Sequence, residues 1–495
     1  MIVELRCDPK RPRGWIVDAV RSLQRAGHSV QLRWVEGATA IPRHLDTLFA
    51  LEKRVLQGGR ACGADLVDRN TIAAPPSASF VDIVVDFTDV PAREATTQSY
   101  LRPLFNGEAG EFAAVTAILA GDMPVIELRD EVTGEIVDRG HPSTEVADGL
   151  SGALDSLMVR TVTLVVANLT GVPRPPPGVT PSAQRRDIGI APRFVLCGLV
   201  KHVLRKIYRW FCYAPQWHIG WRFTDDAGIW KTHDLTGVSW HRLKERPHRF
   251  AADPFAVTWQ GRTVVFFEEL DHRLGKGVIS AIEFNEHGPV GEIFTVLEEP
   301  WHLSYPFLFE DGGELWMIPE CSATREVILY RCERFPDRWE RHATLLSGVE
   351  LSDATIVRHE GRYYLFGVTR EGSGGYSDTL SIYHADSLMG PWLPHAQNPV
   401  LLDRANARPA GHFVVRDGRL WRPVQDCSRG YGAAVALAEI IELSPTRFEQ
   451  IRRHHVTPSS HWPGRNLHTL NRLGRLEVID GTRIQPKIFS YLFKS

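Results

Sequence analysis

The rhythm of apolar and polar positions changes once along this chain. Up to about residue 170, short apolar runs alternate with stretches of helical periodicity. The runs predict strands at Ile2–Leu5, Val30–Trp34, Val81–Phe87 and Pro124–Leu128. Apolar residues recurring every three to four positions predict helices over Trp15–Ala26, Glu111–Ala120 and Thr144 to about Asn168. Strands alternating with helices mean an α/β layer fold. Pro173, Pro175, Pro176, Pro177 and Pro181 follow, a density that forbids helix and favours an extended linker.

From about residue 220 the pattern becomes short runs rich in Val, Ile, Phe, Tyr and Trp, separated by Asp-Gly, Gly-Gly and Gly-Arg turns. One phrase returns: an apolar strand opened by a polar residue or proline, a glycine turn, then an aromatic strand. Its copies begin at Asp253, Tyr305, Asp353, Arg408 and, more weakly, His468, so the starts lie 52, 48, 55 and 60 residues apart. That period suits a four-stranded blade repeated radially. The expected fold is therefore an α/β domain over 1–170, a proline-rich linker and connector helix over 171–220, and an all-β five-bladed propeller over 221–495.

Composition narrows the function. The chain has 495 residues, 43% hydrophobic and 23% charged, with 57 basic against 59 acidic residues and a net charge of -2. This is a globular composition without an electrostatic footprint for nucleic acid. The seven cysteines are scattered, never in a C-x-x-C, and support neither a disulfide framework nor a zinc knuckle, which fits a reducing cytosol. The first residues lack the apolar core of a signal peptide. The stretch Phe194 to Tyr213 is interrupted by Lys201, Arg205, Lys206 and Arg209 and is not expected to cross a bilayer. Its helix, 196–211, is amphipathic and basic. It either packs its apolar face as a connector or lies on an anionic membrane with Trp210 and Tyr213 at the interface, a peripheral contact at the inner membrane.

The propeller phrase, with Asp253-Pro254 in the first blade and Asp353 two blades later, resembles the five-bladed propellers of arabinanases, levansucrases and invertases over about 240 to 485. The strings Ser304–Phe307, Arg408–Gly411, Arg422–Ser428, Tyr431-Gly432 and His468–Asn471 are similar to the propeller of plant glucosamine inositolphosphorylceramide transferases and of bacterial two-domain relatives. In those relatives the first domain resembles a formyltransferase fold, and Val81–Phe87, Gly121–Val125 and Thr133–Ile136 conform to that plan. Formyl transfer requires a polar Asn/His/Asp constellation around an His-x-Ser-Leu-Leu-Pro-like loop. This chain reads Ser99–Gly107 there and has no histidine between His44 and His141, so the domain is expected to be a degenerate scaffold or binding module.

For the propeller, the resemblance implies Asp253 as base or nucleophile and Asp353 as the carboxylate that orients substrate and tunes the acid. In the hydrolase pattern the acid is a glutamate in blade four, where this chain has Arg408. An arginine cannot give up a proton at neutral pH but binds carboxylate or phosphate through its planar fork. Either Glu269, Glu320 or Asp426 replaces the acid, or the funnel binds an anionic glycan without standard hydrolysis. Each of these positions also has a plainer reading: Asp253 and Asp353 as turn residues opening strands, the glutamates as solvated strand ends.

Arg422, Gln425 and Asp426 form a polar run in an apolar context, either an inter-blade salt bridge or ligand contacts. His302 and His468, at equivalent blade entrances, are either hydrogen-bond partners for sugar hydroxyls or structural, and Tyr305 and Tyr431 join them as candidate substrate contacts. Twelve of the fourteen tryptophans lie from Trp210 onward; most are assigned to packing, with Trp301 and Trp421 as sugar platforms. No metal or cofactor is expected, since His454, His455 and His461 lack metal-site spacing and no acidic loop is present. The expected function is a glycosidase or transglycosylase acting on a bacterial polysaccharide or lipid-linked glycan. The competing readings are a non-catalytic glycan-binding module and a glycosyl, formyl or phosphate-using transferase. The sugar, its linkage and the oligomeric state stay open.

Overall fold

The computed structural model describes residues 1–39, 41–72, 80–91, 99–121, 124–143, 147–172, 174, 187–462 and 464–487. Most of the proline-rich linker (173 and 175–186), Asp122-Met123 and the expected helix start at 144–146 lie outside the described residues. The chain divides into two units, Met1–Lys206 with Arg370–Gly375, and Ile207–Thr369 with Tyr376–Ser495.

The first unit is built on a seven-stranded sheet comprising β1 (Ile2–Cys7), β2 (Ser29–Trp34), β3 (Ile83–Asp86), β4 (Ser99–Phe105), β5 (Glu108–Ala109), β6 (Ile126–Asp130) and β7 (Ile136–Gly140). The order is β2-β1-β3-β4-β6-β7, with β5 beside β4. Pairings from β2 through β4 are parallel, those of β4 with β6 and β6 with β7 antiparallel. Helices α1 (Gly14–Arg25), α2 (His44–Val55), α3 (Glu111–Leu119) and α4 (Gly149–Thr170) complete the layers. The sequence pattern misses α2 because its buried stripe is only Leu45, Phe49 and Glu52. Glu52 caps α4, accepting the Leu150 and Ser151 N–H groups at 2.8 Å each. Gly149 (φ 79°) is needed there, since a Cβ would lie 2.5 Å from the Glu52 carboxylate. Residues 99–105, matched to a loop motif in the sequence, form instead the interior strand β4, where Tyr100 and Arg102 hydrogen-bond the buried Asp86. Helix α4 is long and apolar enough to cross a membrane by composition, but 83% of that window is buried within the structure.

Among the described residues the second unit holds five blade sheets in succession, beside a two-stranded sheet that pairs Cys212–Tyr213 with Gln485–Pro486. Blade one runs Arg249–Trp259, Arg262–Asp271, Lys276–Asn285 and Gly288–Leu297, and blade two Ser304–Asp311, Glu314–Glu320, Glu326–Arg334 and Arg338–Ser347. Blade three starts at Leu351–His359 and blade four at Val414–Arg416. Blade five is composite: Leu470–Leu473 and Leu476–Thr482 from the end of the chain pair with Trp217–Phe223 and His241–Arg242 from the start of the unit. This pairing closes the ring and removes the open edges a linear array would leave. Residues 217–220, grouped with the connector by sequence pattern, are therefore strand. The apolar core lies between blades, as where Phe255, Phe266, Phe307, Met317 and Leu365 pack together. The helix preceding the propeller, α5 (Ala191–Phe211), buries only Ala191 and Val195.

Candidate functional site

The first strands of blades one, two and three break register at the same place, between Ala252 and Phe255, Ser304 and Phe307, and Ser352 and Thr355. Inside each break one residue adopts a left-handed backbone: Asp253 (φ 52°), Tyr305 (φ 41°) and Asp353 (φ 55°). A non-glycine residue held there costs on the order of 1–3 kcal/mol. Such bulges re-aim a side chain, and here they repeat with the period of the sequence phrase.

Beside the bulges of blades one and two lies a cavity of about 440 Å³ whose wall includes Trp217, Asp253, Glu268, His302, Glu320, Arg408, Tyr431 and His468. The Asp253 carboxylate accepts from the Thr469 hydroxyl at 2.8 Å and the Tyr305 N–H at 3.3 Å, and His468 Nε2 stands 3.6 Å away. On the other side of the ring, His468 Nδ1 is 2.6 Å from Asp480, which also accepts the backbone N–H groups of Asp253, His468 and Thr469. Burial lifts the Asp253 carboxyl, His468 opposes this and Asp480 and Glu268 add to it, setting it at about 6. Burial depresses His468, but Asp480 and Asp253 outweigh this and raise it to about 9. Between those values Asp253 is a carboxylate beside an imidazolium. Ligand atoms of Asp253, His468 and Asp480 fall within 4.8 Å of one another, a metal-type grouping that the sequence pattern did not anticipate. Asp480 is already engaged by three backbone N–H groups and the imidazole, and so holds the His468 ring beside Asp253.

Arg408 reaches from blade four to Asp353, Nε to Oδ2 at 2.6 Å and Nη2 to Oδ1 at 3.3 Å. Its guanidinium lies 4.8 Å over the Tyr431 ring, and Glu320 is 3.8 Å from Nη2. Gln425 also donates to Asp353, at 3.3 Å. Burial holds the Asp353 carboxyl above the usual range against the pull of Arg408, with Glu320 and Asp253 adding to the rise. The position that carries an acid in the hydrolase pattern is thus occupied by a cation bound to the neighbouring carboxylate.

Glu268 and Glu269 point to opposite sides of their strand. Glu268 faces the cavity and pairs with His302 at 3.2 Å, raising the imidazole against its burial. Glu269, the candidate acid from sequence, is turned away and bound by Arg246, Arg249 and Ser280. The structure does not bring it to the cavity. Tyr305 is fully buried, its hydroxyl accepts the Gly411 N–H at 2.9 Å and meets Thr355 at 3.1 Å, and it does not line the cavity.

Arg422 is engaged by Gln450 and the carbonyls of Asn406 and Ala407, with burial lowering it to about 9. Asp426 binds Ser428, Arg452 and His455. Neither lines the cavity, and neither do Trp301 and Trp421, which pack against apolar clusters. The aromatic wall is Trp217, stacked on His468 at 3.9 Å and edge-on to Tyr431. Sequence reasoning missed Trp217, Thr469 and Asp480, and of the neighbours Glu268 and Glu269 it took Glu269 as the candidate acid. The available signal for Asp480 was a carboxylate directly after the apolar pair Val478-Ile479.

A ring of five blades around a polar funnel with one aromatic wall defines a β-propeller with a central ligand cavity. The family described as glucosamine inositolphosphorylceramide transferase 1, N-terminal, matches residues 233–482, and the chain belongs to it. The transferase 1 of Arabidopsis thaliana is 33% identical over 236 residues, 47% of this chain and 30% of that protein. Its Oryza sativa subsp. japonica counterpart is 31% identical over 253 residues, 48% and 34% respectively. The chain thus spans about a third of the length of the curated relatives it matches. Among solved structures, the catalytic domain of a Coprinopsis cinerea GH62 α-L-arabinofuranosidase is 12% identical with a TM-score of 0.36, covering 46% of this chain and 78% of that one. An exo-β-1,3-galactanase from Clostridium thermocellum is 12% identical with a TM-score of 0.34, covering 48% and 60%.

Proposed function

We propose that the propeller is a carbohydrate-active site that takes the headgroup of a glycan or glycolipid into the funnel, with Asp253 as general base toward a sugar hydroxyl or water. The observation that carries this is the convergence of Asp253, Glu268, His302, Glu320, Arg408, Tyr431 and His468 on one cavity. A carboxylate lifted to about 6 is matched to accepting a proton near neutral pH. Glu320, beside Arg408, is the candidate proton donor to a leaving oxygen. The name of the plant relatives supplies the first ligands to test, glucosamine- and inositolphosphoceramide-type headgroups.

A second reading, glycan recognition without turnover, is favoured by the ion pair of Arg408 with Asp353. The two separate by one experiment: glycan-array binding by wild type and Asp253→Asn, followed by product analysis on the glycans that bind. Consumption by wild type with intact retention by Asp253→Asn supports the catalytic reading. Equal binding and no product from either leaves recognition as the function. No binding by either protein removes both.

A further inference from the structure

The cluster of exposed large apolar residues on α5 is unlike the rest of the described surface. Leu196, Val200, Val203, Leu204, Ile207, Tyr208, Trp210 and Phe211 are all exposed, Leu196 by 61% and Trp210 by 74%. At 100° per residue, Leu196, Val200, Val203, Leu204, Ile207, Trp210 and Phe211 fall in one continuous arc of the helix. Lys201, Arg205 and Arg209 fall together on the opposite side, and Lys206 flanks the arc. The helix Ala191–Phe211 contains these four cations and Arg193 but no Asp or Glu. A soluble helix that merely connects two units exposes polar residues on its outer face. This one exposes leucine, valine, isoleucine and tryptophan.

We propose that α5 is a membrane-surface helix that lies in the plane of an anionic bilayer, its apolar arc among the acyl chains and its lysines and arginines at the phosphates. Charge decides the occupant. A second copy of the same helix supplies no carboxylate to these cations, whereas an anionic leaflet neutralises them and accepts the apolar arc together. Trp210, near the C-terminal end, is the residue type that settles at the headgroup boundary. The chain is attached on this reading without being threaded through, because the cations interrupt the helix too often for it to span. The inference stands independently of what the funnel binds.

The test is co-sedimentation of the full chain with vesicles of pure phosphatidylcholine and with vesicles of equal parts phosphatidylcholine and phosphatidylglycerol. Wild type is expected to pellet with the anionic vesicles and to be released by added salt. Lys201→Gln and Arg209→Gln should each weaken this by ~fivefold, the effect of one surface cation near an anionic leaflet. Leu196→Ser with Trp210→Ser should abolish it, with far-UV circular dichroism confirming that these exposed substitutions leave the fold intact. Equal pelleting with both vesicle types, or with neither, overturns the proposal. So does a concentration-dependent dimer, seen by light scattering, that Trp210→Ser dissolves, since a second copy then covers the arc.

Discussion

Arg408 holds Asp353 by two contacts across adjacent blades, at 2.6 and 3.3 Å, with both side chains nearly sealed from solvent. The pair joins two starts of the repeated phrase, 55 residues apart. It places a structural cation at the blade-four position, and leaves Asp253, Glu268 and Glu320 as the carboxylates on the cavity wall.

Removing one partner leaves the other buried without its counter-charge. Arg408→Ala is expected to lower stability by about 3–5 kcal/mol, the usual cost of breaking a buried pair. The double variant with Asp353→Asn should lose less than the sum of the single losses. Urea unfolding of the four proteins measures the coupling, and strict additivity is the result that contradicts the pairing.

The Asp253–His468 pair predicts a pH window. His468 is raised from 6.5 to about 9, so its contribution to stability is full below about 6.5 and is lost as pH rises through about 9. Asp253 is raised from 3.8 to about 6, so its buried neutral form favours folding at low pH and that contribution fades as pH rises through about 6. Ligand binding that needs the charged pair should therefore be strongest between about 6 and about 9. His468→Gln should remove the alkaline limb, measured by titration calorimetry across pH.

Glu268 and Glu269 are neighbours with opposite fates. Glu269→Gln should destabilise by about 3 kcal/mol, the low end for a buried pair, because Arg246 and Arg249 are partly solvated. Glu268→Gln should leave stability nearly unchanged, weaken ligand binding and lower the pKa of His302, observable by NMR of the imidazole. An exchange of these two phenotypes contradicts the assigned strand faces.

Tyr305→Phe keeps the ring and deletes the hydroxyl that accepts the Gly411 N–H. A buried donor left unsatisfied costs about 1–3 kcal/mol. Chemical denaturation should show a loss in that range with ligand affinity retained, since Tyr305 is buried and does not line the cavity.

Periodicity along the chain determined the layer fold of the first unit, the five repeats of the second, and the importance of Asp253, Asp353, Arg408 and His468, which open those repeats. These are local signals, carried by alternation over a few residues and by recurrence of one phrase. What the side chains face was decided elsewhere. Glu268 and Glu269 alternate along an unbroken stretch of the second strand, so which of them reaches the cavity is set by how that strand pairs within its blade, while the bulge on the first strand re-aims Asp253. Asp480 meets Asp253 across 227 residues, and Trp217 reaches the funnel because the start of the propeller pairs with its end. Such partners share no spacing that a linear pattern can register; ring closure brings them together.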